Sequence, residues 1–279
     1  MTGVLLALSA SLIWGFADFG AGVGARRLPV FVVGAITQGA GLLLAGIVVI
    51  AVGRALPSSA QLAWAAFAGL VGVIGLSAFY RALAVGTMGV VGPITATASV
   101  VPLAYGLARG ERPSTLQGIG VGLALLGVIA ASLERLPDGG GRRLGIGVGL
   151  ALLAALSFGG ALIGLSRAAS GGVAWATLTM RIVALPLMLA AAFAFRPGAP
   201  SWPRGWLLLV GVGIGDTGAT MLYAIASTRG LLSIVAVLSS LYPIVIVTLA
   251  RVLLKEKVAP PQLAGVAIAL TGVALISAG

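Results

Sequence analysis

The sequence predicts an all-α integral membrane protein: ten transmembrane helices arranged as two inverted five-helix repeats. Three observations carry this. Of 279 residues, 59% are hydrophobic and only 8% charged, whereas a soluble domain is about a quarter charged. The apolar residues fall into ten separate runs, each close to the ~20 residues that a helix needs to cross a bilayer. Matching residues then recur in order along the two halves of the chain.

The first run is Val4–Val23. No charged segment precedes it and it is long for the apolar core of a signal peptide, so it reads as an uncleaved helix. Arg26-Arg27-Leu28-Pro29 closes it. Val30–Val52 follows and stops at Gly53-Arg54, a turn signal. Leu62–Leu83 is third. The fourth run, Val90–Leu107, is polar for a lipid-buried helix: it holds Pro93, Thr95, Thr97, Ser99, Pro102 and Tyr105. Arg109-Gly110-Glu111-Arg112-Pro113 ends it, and Leu116–Leu133 completes the first half. The most polar stretch, from Glu134 to Arg143, lies at the midpoint and reads as a linker. The predicted organisation is therefore a first repeat over 1–134, a linker over 135–143 and a second repeat over 144–279. The second half contains Leu144–Leu165, Val173–Phe195, Trp206–Ala226, Leu231–Leu253 and Leu263–Ser277. Its fourth run is polar too, with Ser233, Ser239, Ser240, Tyr242 and Pro243. The connections are too short for an extramembrane domain.

The repeat shows best at the end of each half. Glu111, Gln117, Gly120, Gly127 and Val128 correspond to Glu256, Gln262, Gly265, Gly272 and Val273, all at an offset of 145. Upstream, Ser77 and Tyr80 match Thr220 and Tyr223 at 143, Trp14-Gly15 matches Phe158-Gly159 at 144, and Pro102 matches Pro243 at 141. Loop insertions and deletions account for the drift. Five is odd, so the second copy enters the membrane from the opposite side. Inverted repeats of this kind are a transporter architecture with the site near mid-membrane.

Composition also excludes chemistry. The chain has no Cys and no His. That removes thiolate ligands, disulfides, the commonest metal ligand and the commonest general base. No cofactor or metal is expected. The net charge of +11 comes from single or paired cations between apolar runs, which reads as loop charge beside a membrane and not as a nucleic-acid surface. The abundance of Ala, Gly and Arg over Lys suggests a GC-rich bacterial genome.

Two five-helix copies, each closing with Pro, a charged turn with Glu, Gln-x-x-Gly and Gly-Val, resemble the EamA-type drug/metabolite transporters. The aromatic-Gly pairs Trp14-Gly15 and Phe158-Gly159 fit that pattern. The resemblance covers essentially the whole chain. It implies ten helices around a central cavity, alternating access, both termini in the cytoplasm, and export of amino acids or other small metabolites. One departure is the segment from Pro to Glu, which is 4 residues longer in the second half. That is about one helical turn, so the fourth helix there should extend further.

Ionisable groups inside spans are costly and point to function. Asp216 lies mid-span, with Thr220 and Tyr223 on the same helix face. It could meet a substrate amine, carry a proton, or form half of a structural ion pair. Arg181, mid-span in the neighbouring run, could bind a carboxylate or neutralise Asp216; pairing would hold Asp216 ionised and make it a poorer proton carrier. Ser11, Trp14 and Asp18 share one face of the first helix, either as a cavity wall or as an interfacial Asp beside a belt Trp. Tyr80 and Tyr223 each follow a hydroxyl residue, Ser77 and Thr220, by three positions, which suits either a mostly apolar pocket or plain packing. In the polar fourth spans, Thr95, Ser99 and Ser239 are candidate cavity residues, and Pro102 and Pro243 are candidate hinges because Pro frees a backbone carbonyl. The same hydroxyls could instead join helices. The Gly-x-x-x-Gly pairs, such as Gly20/Gly24 and Gly118/Gly122, read as packing within one bundle.

The expected substrate-binding set is thus Trp14, Asp18, Ser77, Tyr80, Thr95, Ser99, Asp216, Thr220, Tyr223 and Ser239. The expected function is a secondary transporter of a bacterial cytoplasmic membrane, a monomer, exporting amino acids, aromatic or other neutral ones, or similar small metabolites by alternating access. A proton-coupled drug exporter is the alternative. An enzyme would need an aspartyl dyad of Asp18 and Asp216, and a passive scaffold or channel would show no saturable transport. Loop charge pulls against the family topology. Eleven Arg and Lys residues fall on odd-numbered connections and five on even ones, which places the N-terminus outside by the positive-inside rule.

Overall fold

In lipid no water satisfies backbone N–H and C=O groups, so a crossing segment must satisfy its own as a helix. The computed structural model follows that rule. It describes residues 1–25, 27–85, 94–95, 97–132, 141–195, 205–253 and 260–279. Among these are eleven α-helices: α1 (Thr2–Ala25), α2 (Val30–Val52), α3 (Ser59–Val85), α4 (Val100–Ala108), α5 (Thr115–Ser132), α6 (Gly141–Ala169), α7 (Val173–Phe195), α8 (Gly205–Ser227), α9 (Leu232–Ser239), α10 (Tyr242–Leu253) and α11 (Pro260–Ala278). A 3-10 turn, Thr97–Ser99, leads into α4. With α9 and α10 as one interrupted span, and the 3-10 turn and α4 as another, these make ten crossings. Six helices are long and apolar enough to span a membrane alone, and four shorter apolar ones supply the rest. The chain is a multi-pass membrane protein of two inverted repeats.

Local chemistry sets the ends. Gln61 Oε1 accepts the Ser58 N–H at 3.0 Å, and Gln117 Oε1 accepts the Ser114 N–H at 2.9 Å. These are capping boxes that satisfy orphan donors at the starts of α3 and α5. Gly53 ends α2 at φ +62°, returning its N–H to the Val49 carbonyl at 3.0 Å, a conformation that glycine adopts without strain.

The packing alternates between halves. Going round, α1 meets α8, then α2, α7, α3, α6, α4, α9–α10, and α1 again. Exchanging the halves maps this ring onto itself, as a two-fold axis in the membrane plane requires. The fifth spans, α5 and α11, pair with each other outside the ring. Their contact is made of the motif glycines: a Cβ on Gly127 would lie 2.6 Å from Ala269 Cα, and one on Gly272 2.6 Å from the Gly120 carbonyl oxygen. Small residues let two backbones touch where lipid provides no hydrophobic drive. Of the Gly-x-x-x-Gly pairs, Gly20/Gly24 pack on α8 and Gly160/Gly164 on Phe67, but Gly118, Gly122, Gly149 and Gly211 meet nothing.

Both termini lie on one face of the bundle. Gly3 abuts the Arg229–Gly230 turn, and Gly279 abuts Ser114. The buried core fills that half of the ring, with Ala7, Ala10, Ala65, Ala68, Leu165, Ala176, Tyr223, Val235 and Leu238 among its members. Cross-links lace the same face: Trp175 Nε1 donates to the Arg54 carbonyl at 3.0 Å, and the Leu232 and Ser233 N–H groups donate to the Glu111 carboxylate at 2.8 and 2.9 Å. α10 has 12 residues against 9 in α4, matching the longer Pro-to-Glu segment of the second half.

Candidate functional site

The other half of the ring is hollow. A cavity of about 270 Å³ lies between the eight ring spans and takes no lining from α5 or α11. It runs from mid-membrane toward the face opposite the termini. Each ring span contributes its inward positions: Trp14, Ala17, Asp18 and Ala21 from α1, and Gly69, Gly72, Val73 and Leu76 from α3, follow the i, i+3, i+4, i+7 spacing of one helix face.

A charged network forms its floor. The Arg181 side chain is 3% exposed and sits 2.7 Å from Asp216, which is 31% exposed. Arg181 Nη2 donates to Asp216 Oδ2 at 2.7 Å and to Thr220 Oγ1 at 3.2 Å, and Nη1 donates to Gln38 Oε1 at 2.7 Å. Trp14 Nε1 donates to Asp216 Oδ1 at 3.1 Å, and the Thr220 hydroxyl donates to the Asp216 carbonyl at 2.7 Å. Gly41 makes room for the guanidinium: a Cβ there would lie 3.3 Å from Arg181 Nε. The ion pair expected from sequence therefore forms. It spans α7 and α8, and through Gln38 and Trp14 it also ties in α2 and α1.

Asp18 is different. It is exposed to the cavity, one turn beyond Trp14, and has no hydrogen-bond partner among the described residues. No hydrogen bond joins it to Asp216, whose two oxygens go to Trp14 and Arg181. The aspartyl dyad that an enzyme would need is not formed.

Seven of the expected residues line the cavity: Trp14, Asp18, Thr95, Ser99, Asp216, Thr220 and Ser239. Two do not. Tyr223 is 0% exposed; its ring packs 5.9 Å from that of Trp14, on the far side from the cavity, and its hydroxyl donates to the Leu162 carbonyl at 3.3 Å. It is a core residue because α8 places it three residues closer to the filled face than Thr220. Ser77 lies in a separate apolar groove with Leu70, Arg81, Leu150 and Leu187. It follows Leu76 by one residue, which turns it about 100° away from the cavity face. The side chains of Tyr80 and Pro243 lie outside the described residues. Pro102 is buried in the first turn of α4, where the missing N–H has no intrahelical partner to lose. The two interruptions meet: the Ser99 and Ser240 hydroxyls are hydrogen-bonded 3.0 Å apart, at the break before α4 and the break between α9 and α10.

The expected binding set omitted Gln38, Thr37, Met180 and Met188, and also Phe158 and Tyr242, which the sequence marked only through the repeat and the polar fourth span; all of them line the cavity. Gln38 had a signal: Thr37-Gln38 is the only polar pair inside the Val30–Val52 run. The methionines had none, since a Met in an apolar run reads as packing.

The EamA-like transporter family pattern matches residues 1–133 and 145–278. No curated protein matches. A solved structure, described only as a crystal structure of a protein, superposes with a TM-score of 0.84 at 19% identity, over 99% of this chain and 98% of its own. That likeness shows a shared fold.

Proposed function

Because the chain belongs to the EamA-like transporter family and is a membrane transporter of the drug/metabolite superfamily, we propose that the cavity is its translocation site and that it exports amino acids or similar small amine-bearing metabolites by alternating access. The observation that carries this is the half-filled ring: a hollow with aromatic and polar walls on one side of mid-membrane, and an alanine-rich core plugging the other. Its volume of about 270 Å³ lies just below the ~300–1,000 Å³ usual for ligand pockets, which suits a small metabolite. The second state follows from the pseudo-symmetry, with the core side opened and the hollow closed. Neighbours in the ring alternate between halves, so rocking one half as a body would break every main contact. The breaks at Ser99 and Ser240 allow local bending instead. The membrane is the cytoplasmic membrane of a bacterium, with both termini in the cytoplasm.

Uptake of a metabolite panel into inverted membrane vesicles tests this. Saturable uptake of at least one amine-bearing compound is expected, and absence across a broad panel would sink the reading. A proton-coupled drug exporter is the second reading, favoured by the Asp18 carboxyl, which has no hydrogen-bond partner among the described residues. It requires that Asp18→Asn abolish movement driven by a pH gradient; transport that is equal with and without the gradient removes it.

A further inference from the structure

The cavity carries three charged side chains among the described residues: Asp18, Arg181 and Asp216. They are not equivalent. Arg181 and Asp216 are consumed by each other, and the guanidinium is further held by Gln38 and Thr220. A substrate carboxylate cannot reach Arg181 without first displacing Asp216. What remains is Asp18, so among the described residues the hollow presents one carboxyl with no cation of its own.

The apolar lining acts in the same direction. Trp14, Phe158 and Tyr242 put aromatic rings on the wall. The Trp14 ring is fixed by its N–H bond to Asp216 and by Tyr223 behind it. Ring faces attract cations, Trp most of all. A zwitterion would carry its own carboxylate into the same small space, beside Asp18 and with no free cation among the described lining residues to receive it. Burying a charge without a partner is costly.

We infer that the site takes a small organic monocation, an amine or guanidine on an apolar body, and rejects zwitterionic and anionic analogues, with Asp18 as the residue that sets this specificity. The inference rests on the cavity being the translocation site. It revises the proposed substrate class: free amino acids drop out, and amine-bearing metabolites whose carboxyl is absent or masked remain.

Four probes that share one skeleton test it: phenethylamine, phenylalaninamide, phenylalanine and N-acetylphenylalanine. Binding to the purified full-length chain in nanodiscs is read by competition against labelled phenethylamine and by ligand-induced thermal stabilisation. The amide should bind at least about tenfold more tightly than phenylalanine, and N-acetylphenylalanine should not compete. Asp18→Asn should shrink the amide-to-acid ratio below about threefold, and Asp18→Glu should retain it. Asp18 makes no hydrogen bond among the described residues, so both variants should fold, which their unliganded melting temperatures report. Phenylalanine binding as tightly as its amide, a ratio that survives Asp18→Asn, or no binding by any probe would each overturn the inference. Saturable flux of a zwitterion would overturn it while leaving the transporter reading intact. Absence of flux across the whole panel would overturn both.

Discussion

Asp216 is held from two sides, and the energetics of that arrangement are asymmetric. A buried ion pair adds little net stability, but removing one member strands the other. Asp216→Asn leaves Arg181 charged, almost fully buried and without its counter-ion, so the variant should lose about 3 kcal/mol. Replacing both residues together, Arg181→Met with Asp216→Leu, should recover most of that loss. Thermal unfolding in nanodiscs decides this: a double variant no more stable than Asp216→Asn would show that the pair is not the source of the cost. At this scale the sequence was partly legible. Rare charges in an apolar chain advertise themselves, and Asp18, Arg181 and Asp216 all lie on the cavity. Tyr223 and Ser77 misled because helix periodicity tells which residues share a face, and not what that face meets. Tyr223 does share the Asp216 face, but it lies on the filled side of the midplane.

Between residue and bundle, the motifs that carried the family resemblance turn out to govern ends and crossings. Gln117 closes a capping box at the start of α5. Glu111, placed by a close approach to Gly106, caps the start of α9 in the opposite repeat. An acidic group at a helix N-terminus satisfies orphan N–H donors and complements the dipole. Glu111→Ala should therefore cost about 1–2 kcal/mol, and Glu111→Gln less, in the same thermal measurement. Equal melting temperatures for wild type and Glu111→Ala would contradict the cap. Gly127 and Gly272 let α5 and α11 touch backbone to backbone. Gly127→Leu should split that pair and lower the yield of folded protein sharply, whereas Gly118→Leu, facing open space, should be silent; chromatographic monodispersity compares them. The prolines of the fourth spans marked the interruptions in sequence, but the bond between Ser99 and Ser240 could not be read there because it joins residues 141 apart.

The whole molecule was the most legible level and also the one where the sequence left most open. Ten apolar runs and an offset of 141 to 145 gave the span number and the inversion. They gave no partners, because every ring neighbour comes from the other half and no periodicity encodes that. Orientation is also undecided, since the charge count, eleven cations on odd-numbered connections against five on even ones, conflicts with the cytoplasmic termini that the family resemblance implies. Labelling of a Ser277→Cys variant resolves it: protection from an impermeant reagent in intact cells is expected for a cytoplasmic C-terminus, and labelling from outside would reverse the assignment. The central claim is that the filled, terminus-bearing half of the ring must open for transport. The chain has no native Cys, so a Gly3→Cys, Gly230→Cys pair can pin that half shut, where a Cβ on Gly3 lies 3.4 Å from Gly230 Cα. In proteoliposomes, flux through this variant should stop on oxidation and return on reduction. Flux that continues undiminished through the cross-linked protein would contradict the account.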